Sequence, residues 1–82
     1  MPIVTFINQQ RGMAVIEIEA NHCSIIEILD YTDLSEGDEV IGDFHTLGSQ
    51  TMRHLENNDD INIIVQNIHL TSDHAFKLAS FK

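Results

Sequence analysis

The chain has 82 residues, 43% of them hydrophobic, and sets thirteen acids against Arg11, Arg53, Lys77 and Lys82 for a net charge of −9. A chain of this size makes one domain and buries only roughly 60% of its unfolded surface, which excludes a catalytic cleft between two domains. The acid excess repels phosphate backbones, because sequence-independent nucleic-acid affinity comes mainly from Lys and Arg displacing condensed counterions.

Cys23 stands alone, so an intramolecular disulfide is excluded and a reducing compartment is expected. Met1 to Gln10 lacks a basic start followed by an apolar stretch, and no run approaches the roughly 20 apolar residues of a membrane span. A cytoplasmic location is the resulting expectation.

Ile3 to Ile7 is apolar and β-branched around Thr5 and Phe6, and it stops at the polar run Asn8-Gln9-Gln10-Arg11-Gly12. That pattern predicts a strand and a hairpin turn, with Gly12 at positive φ. From Met13 to Glu19 the alternation puts Ala14, Ile16 and Ile18 on one face and Met13, Val15, Glu17 and Glu19 on the other, a half-buried antiparallel strand. Ala20-Asn21-His22 predicts a turn into a third strand, Cys23 to Leu29, where Ser24, Ile26 and Ile28 oppose Ile25, Glu27 and Leu29.

The loop composition of Asp30 to Gly37 surrounds a single Leu34 that is expected to plug the barrel, and Glu39 to His45 reads as strand four. Thr46 to Gln50 predicts a turn, Thr51 to Leu55 a weak strand, Glu56 to Asp60 a loop, and Ile61 to Leu70 the last strand. Thr71-Ser72-Asp73 is a helix-start signal, followed by an apolar stripe of Ala75, Phe76, Leu78 and Ala79 before Phe81.

The first three strands resemble the cold-shock domain, a small oligonucleotide-binding (OB) barrel. Val4-Thr5-Phe6-Ile7-Asn8 is similar to its first strand, Arg11-Gly12-Met13-Ala14-Val15-Ile16 to its Lys-Gly-aromatic-Gly-Phe-Ile motif, and Ser24-Ile25-Ile26-Glu27-Ile28 to its Val-Phe-Val-His-Phe motif. Downstream, Ser35-Glu36-Gly37-Asp38-Glu39-Val40 resembles the family's Glu-Glu-Gly-Gln-x-Val run, and Val65-Gln66-Asn67-Ile68 its closing Ala-x-Asn-Val. The resemblance implies one all-β domain over residues 1–82, an OB-like barrel of five or six strands with 71–81 as a short C-terminal helix.

The family's base-stacking face would fall on Phe6, Met13, Val15, Ile25 and Glu27, of which only Phe6 is aromatic. Stacking on an aromatic contributes roughly 1–3 kcal/mol per base, so a face stripped of rings and carrying Glu27 is expected to have lost most single-strand affinity. What remains is an apolar patch of the kind that marks a partner surface. The expected function is therefore non-catalytic protein contact or self-association through that face. A homodimer is its first cover and the 73–81 segment the alternative.

Weak single-strand binding through Phe6, Arg11, Tyr31 and Arg53 is the second expectation. Contact between a basic protein and Asp30, Asp33, Glu36, Asp38 and Glu39 is the third. Among the histidines, His22-Cys23 with His69 and His74 are the best metal-ligand candidates. Their spacing lacks the paired pattern of structural zinc sites, and the sequence gives no reason to expect a metal or cofactor. No nucleophile is paired with a base in the sequence, so no catalysis is expected.

Overall fold

The computed structural model describes residues 1–30 and 32–81, and the expectations placed on Tyr31 and Lys82 lie outside them. Among the described residues the strands are β1 (Ile3–Asn8), β2 (Met13–Glu19), β3 (His22–Ile28), β4 (Val40–Ile41), β5 (Gly48–His54) and β6 (Asp59–Leu70), followed by helix α1 (Ser72–Ser80). They form one antiparallel sheet in the order β1-β2-β3-β6-β5-β4. The sheet curls into a half-barrel, and backbone bonds draw its ends together. Val4 N donates to Asp38 O at 2.9 Å, Gly37 N to Val4 O at 2.7 Å, and Val40 N to Pro2 O at 3.0 Å.

Alternation decides which side chains enter the barrel. In the β2–β3 pair Ala14 opposes Ile26 and Ile16 opposes Ser24, and these fill the inner face together with Val4, Val40, Met52, Ile61, Ile63 and Val65. Leu34 reaches the same core from its loop, as its isolation among polar residues suggested. Val15 and Ile25, half a period out, point to the other side of the sheet and join a second, smaller cluster with Cys23, Ala75 and Ala79.

Expected boundaries differ in β4, β5 and β6, the last of which starts at Asp59 rather than Ile61 because Asp59 and Asp60 pair with His54 and Arg53. Strand four is only Val40–Ile41 rather than Glu39 to His45, because the chain leaves the sheet after Ile41. There Asp43 closes a turn, its carboxylate accepting from His45 N and Thr46 Oγ1, both at 2.9 Å. β5 begins at Gly48 rather than Thr51, since Gly48, Ser49 and Gln50 pair with Val65, Ile64 and Ile63. A strand of Gly, Ser, Gln and Thr buries little side chain and gives no apolar alternation to read.

Candidate functional site

The outer face of β1–β3 is where the sequence placed its partner surface, and α1 lies on it. Val15 is 2% exposed and Ile25 1%, packed against Ala75 and Ala79, with Phe6, Met13 and Leu70 around them. The two alanines stand four apart on one helix face, so the helix approaches closely without a side chain to hold it off. Phe6 meets Phe76 edge-on, with ring centroids 4.8 Å apart. The expected open patch is thus corrected: Val15 and Ile25 belong to an intramolecular interface, and contact through them requires the helix to leave. Glu27 sits at its margin, half-buried, accepting from Gln66 Nε2 at 2.9 Å.

Nine helical residues are marginal in isolation, and polar ties at both ends hold α1 in place. At its start, Thr71 Oγ1 accepts from His74 N, Asn21 Oδ1 from Ser72 N, and Ser72 Oγ donates to Glu17. At its end the β1–β2 turn takes up carbonyls that a helix terminus leaves unpaired. Asn8 Nδ2 donates to Ala79 O at 2.8 Å, and Arg11 Nη1 to Leu78 O at 3.2 Å and Phe81 O at 2.9 Å. The turn whose Arg-Gly looked like a nucleic-acid motif is therefore a helix clamp. Gly12 adopts φ 65°, as its place in the turn required.

Among the described residues, Arg11, Arg53 and Lys77 are engaged within the chain. Besides Arg11, the Arg53 guanidinium donates to Asp60 at 3.2 Å and to Asn58 at 2.6 Å, and Lys77 pairs with Asp73 at 3.5 Å. The acidic stretch is partly structural too: Asp30 accepts from Asn62 N, Glu36 from Ile7 N, and Asp38 from Ser35 N and from the buried His54 at 2.7 Å. Asp33 and Glu39 are exposed. A cleft of about 650 Å³ lies between the β1–β2 turn and the 28–35 segment, lined by Ile7, Gly12, Ile28, Asp30 and Leu34 among others.

Burying alanines against the sheet turns the larger apolar side chains of α1 outward. Phe76 is 50% exposed, Leu78 40%, and the following Phe81 72%. The apolar surface has been transferred from sheet to helix rather than removed.

His22 and His69 also meet, with Nε2 and Nδ1 3.2 Å apart, and His45 stands beside them, whereas His74 lies on α1 and Cys23 faces the helix on the opposite side from His22. His45 was missed as a member because its loop was read as a strand end. No family model matches the chain, and no curated protein or solved structure is significantly similar to it.

Proposed function

We propose that the protein is a non-catalytic protein-binding module, an OB-like barrel of cold-shock ancestry whose former stacking face is occupied by its own helix. Its contact surface is the exposed apolar side chains of the helix and its end, Leu78 and Phe81 on one flank and Phe76 on the other beside Phe6, and its partner is a protein with an apolar centre ringed by basic residues. The observation that carries this reading is the inverted burial of α1, small residues in and large apolar ones out, on a body of net charge −9. Large apolar side chains left exposed on a small protein mark partner surfaces, and the charge favours a basic partner over a second acidic copy. Nucleic acid is the poorer candidate: Phe6 packs on Phe76, Arg11 clamps the helix and Arg53 is paired with Asp60.

Leu78→Glu and Phe81→Glu test this by adding charge to this surface without touching the barrel. A partner captured by the wild-type chain should be released by moderate salt and should fail to bind either variant. Capture unaffected by both substitutions would contradict the proposal, as would saturable, submicromolar binding of single-stranded DNA or RNA. A concentration-dependent dimer abolished by the same substitutions would assign the surface to self-association instead.

A further inference from the structure

We propose that His22, His45 and His69 form a binding site for one divalent transition-metal ion, with zinc the expected occupant. The three residues come from distant parts of the chain. His22 opens β3, His69 is the penultimate residue of β6, and His45 lies in the loop between β4 and β5. Zinc holds imidazole nitrogens at about 2.0–2.1 Å with tetrahedral angles, which sets two ligand nitrogens about 3.3 Å apart and their ring centroids about 5 Å apart. His22 Nε2 and His69 Nδ1 are 3.2 Å apart. The ring centroids are 5.3 Å apart for His22–His69, 5.6 Å for His22–His45 and 6.5 Å for His45–His69.

As the side chains stand, no three ligating groups among the described residues converge on one point. The distances leave a small closure: His22 and His69 turn their facing nitrogens from each other toward the ion, and His45 swings in by about an ångström. His45 and His69 are exposed and His22 is half-buried, and rings so placed reorient on the picosecond-to-nanosecond scale. A ligating imidazole offers the metal the lone pair of one nitrogen and carries its N–H on the other.

Two features hold this cluster in place. Along the β3–β6 ladder Cys23 pairs with Leu70 and Ile25 with Asn67, so three steps on β6 match two on β3. The bulge this creates holds His69 at φ 58°, a left-handed conformation uncommon for a residue other than glycine. Bulges re-aim side chains, and strain of this kind gathers at functional positions. The second feature is Ser24, a buried hydroxyl in the core that donates to Phe44 O at 2.6 Å and so pins the residue before His45 against β3. Gly42 lets that loop lie flat, since a Cβ there would stand 3.2 Å from Met52 Cβ.

The surroundings favour a cation. The Asp43 carboxylate lies beside His45, accepting from His45 N and Thr46 Oγ1, both at 2.9 Å. The net charge of −9 raises the local concentration of any cation. Imidazole ligands suit zinc, copper and nickel rather than calcium or magnesium.

The test is calorimetric titration of the metal-free full chain with zinc chloride, beside His22→Ala, His45→Ala, His69→Asn and His74→Ala. Asparagine at position 69 tolerates the positive φ, so that variant stays folded while losing a ligand. The wild type should bind one zinc per chain and melt at a higher temperature when loaded. Each of the first three variants should bind at least about tenfold more weakly, since even outer-shell changes cost 10- to 100-fold, and His74→Ala should match wild type. Failure to saturate at one zinc per chain would overturn the proposal. So would affinity unchanged in His45→Ala, which would leave a two-histidine surface contact only.

Discussion

The two faces of the β1–β3 sheet bury side chains in opposite ways. The inner face is closed on itself by strands and filled by large residues, Ile16, Ile26, Phe44 and Met52 among them, all essentially without solvent contact. The outer face is closed by one short helix contributing two alanines, and the ties at its margins are polar: Asn8, Arg11, Asn21 and Ser72. A void in the inner core cannot be relieved without opening the barrel. A fault beneath α1 can be relieved by releasing nine residues, so the two faces should respond differently to damage of similar chemistry.

Ile26→Ala should have the largest effect, because deleting a buried aliphatic costs about 2–5 kcal/mol where the cavity cannot collapse. Against a total stability of roughly 4–12 kcal/mol for a domain of this length, that should move the urea midpoint far, with one transition and unchanged slope.

Val15→Glu places a carboxylate under α1, where an unpaired buried charge costs about 3–5 kcal/mol if it stays buried. Here the helix should leave instead, limiting the loss to its docking free energy. Circular dichroism should show helical signal lost while the strand signal survives; a variant that unfolds in a single step with the barrel would erase the distinction between the faces.

Arg11→Ala should cost less, about 1 kcal/mol, since it frees the carbonyls of Leu78 and of Phe81 just past the helix, which water can reach. Amide exchange in residues 77–80 should quicken, with β2 and β3 unchanged.

The smallest effect concerns Asp43. Its carboxyl lies below its ordinary value, first because His45 N donates to it and then because Thr46 does. A carboxyl depressed in the folded state adds stability above its unfolded value of 3.8 and loses it as pH falls through the folded value. In Asp43→Asn the slope of stability against pH below about 4 should therefore become shallower, and the amide signals of His45 and Thr46 should lose their acid titration.

The first three strands and the helix were largely legible. Strict alternation in Met13–Glu19 predicted β2 to the residue, and β1, β3 and α1 fell within a residue or two of their observed limits. Legibility failed where the local pattern carries no apolar period. Phe44 looked like a strand residue, yet it reaches the core from a loop anchored by Ser24, a long-range bond invisible in sequence. The bulge at His69 breaks the two-residue period, which hid its approach to His22.

Phe6, Met13, Val15 and Ile25 gather on one side of the sheet, and α1, the second choice as their cover, lies on them. Of the apolar stripe Ala75, Phe76, Leu78 and Ala79, the two alanines dock, because only a small side chain allows the helix to sit so close to Val15 and Ile25, and Phe76 and Leu78 are left half-exposed.

Cys23 tests that cover most directly. It is the only cysteine, fully buried beneath α1 with Sγ 3.5 Å from Ser72 Oγ. In the native full-length chain its reaction with an aromatic disulfide reagent should be far slower than in urea-unfolded chain, and Val15→Glu should restore rapid reaction while the barrel remains folded. A native wild-type chain whose thiol reacts as fast as the unfolded one, with its strand signal intact, would mean that the helix does not lie on this face.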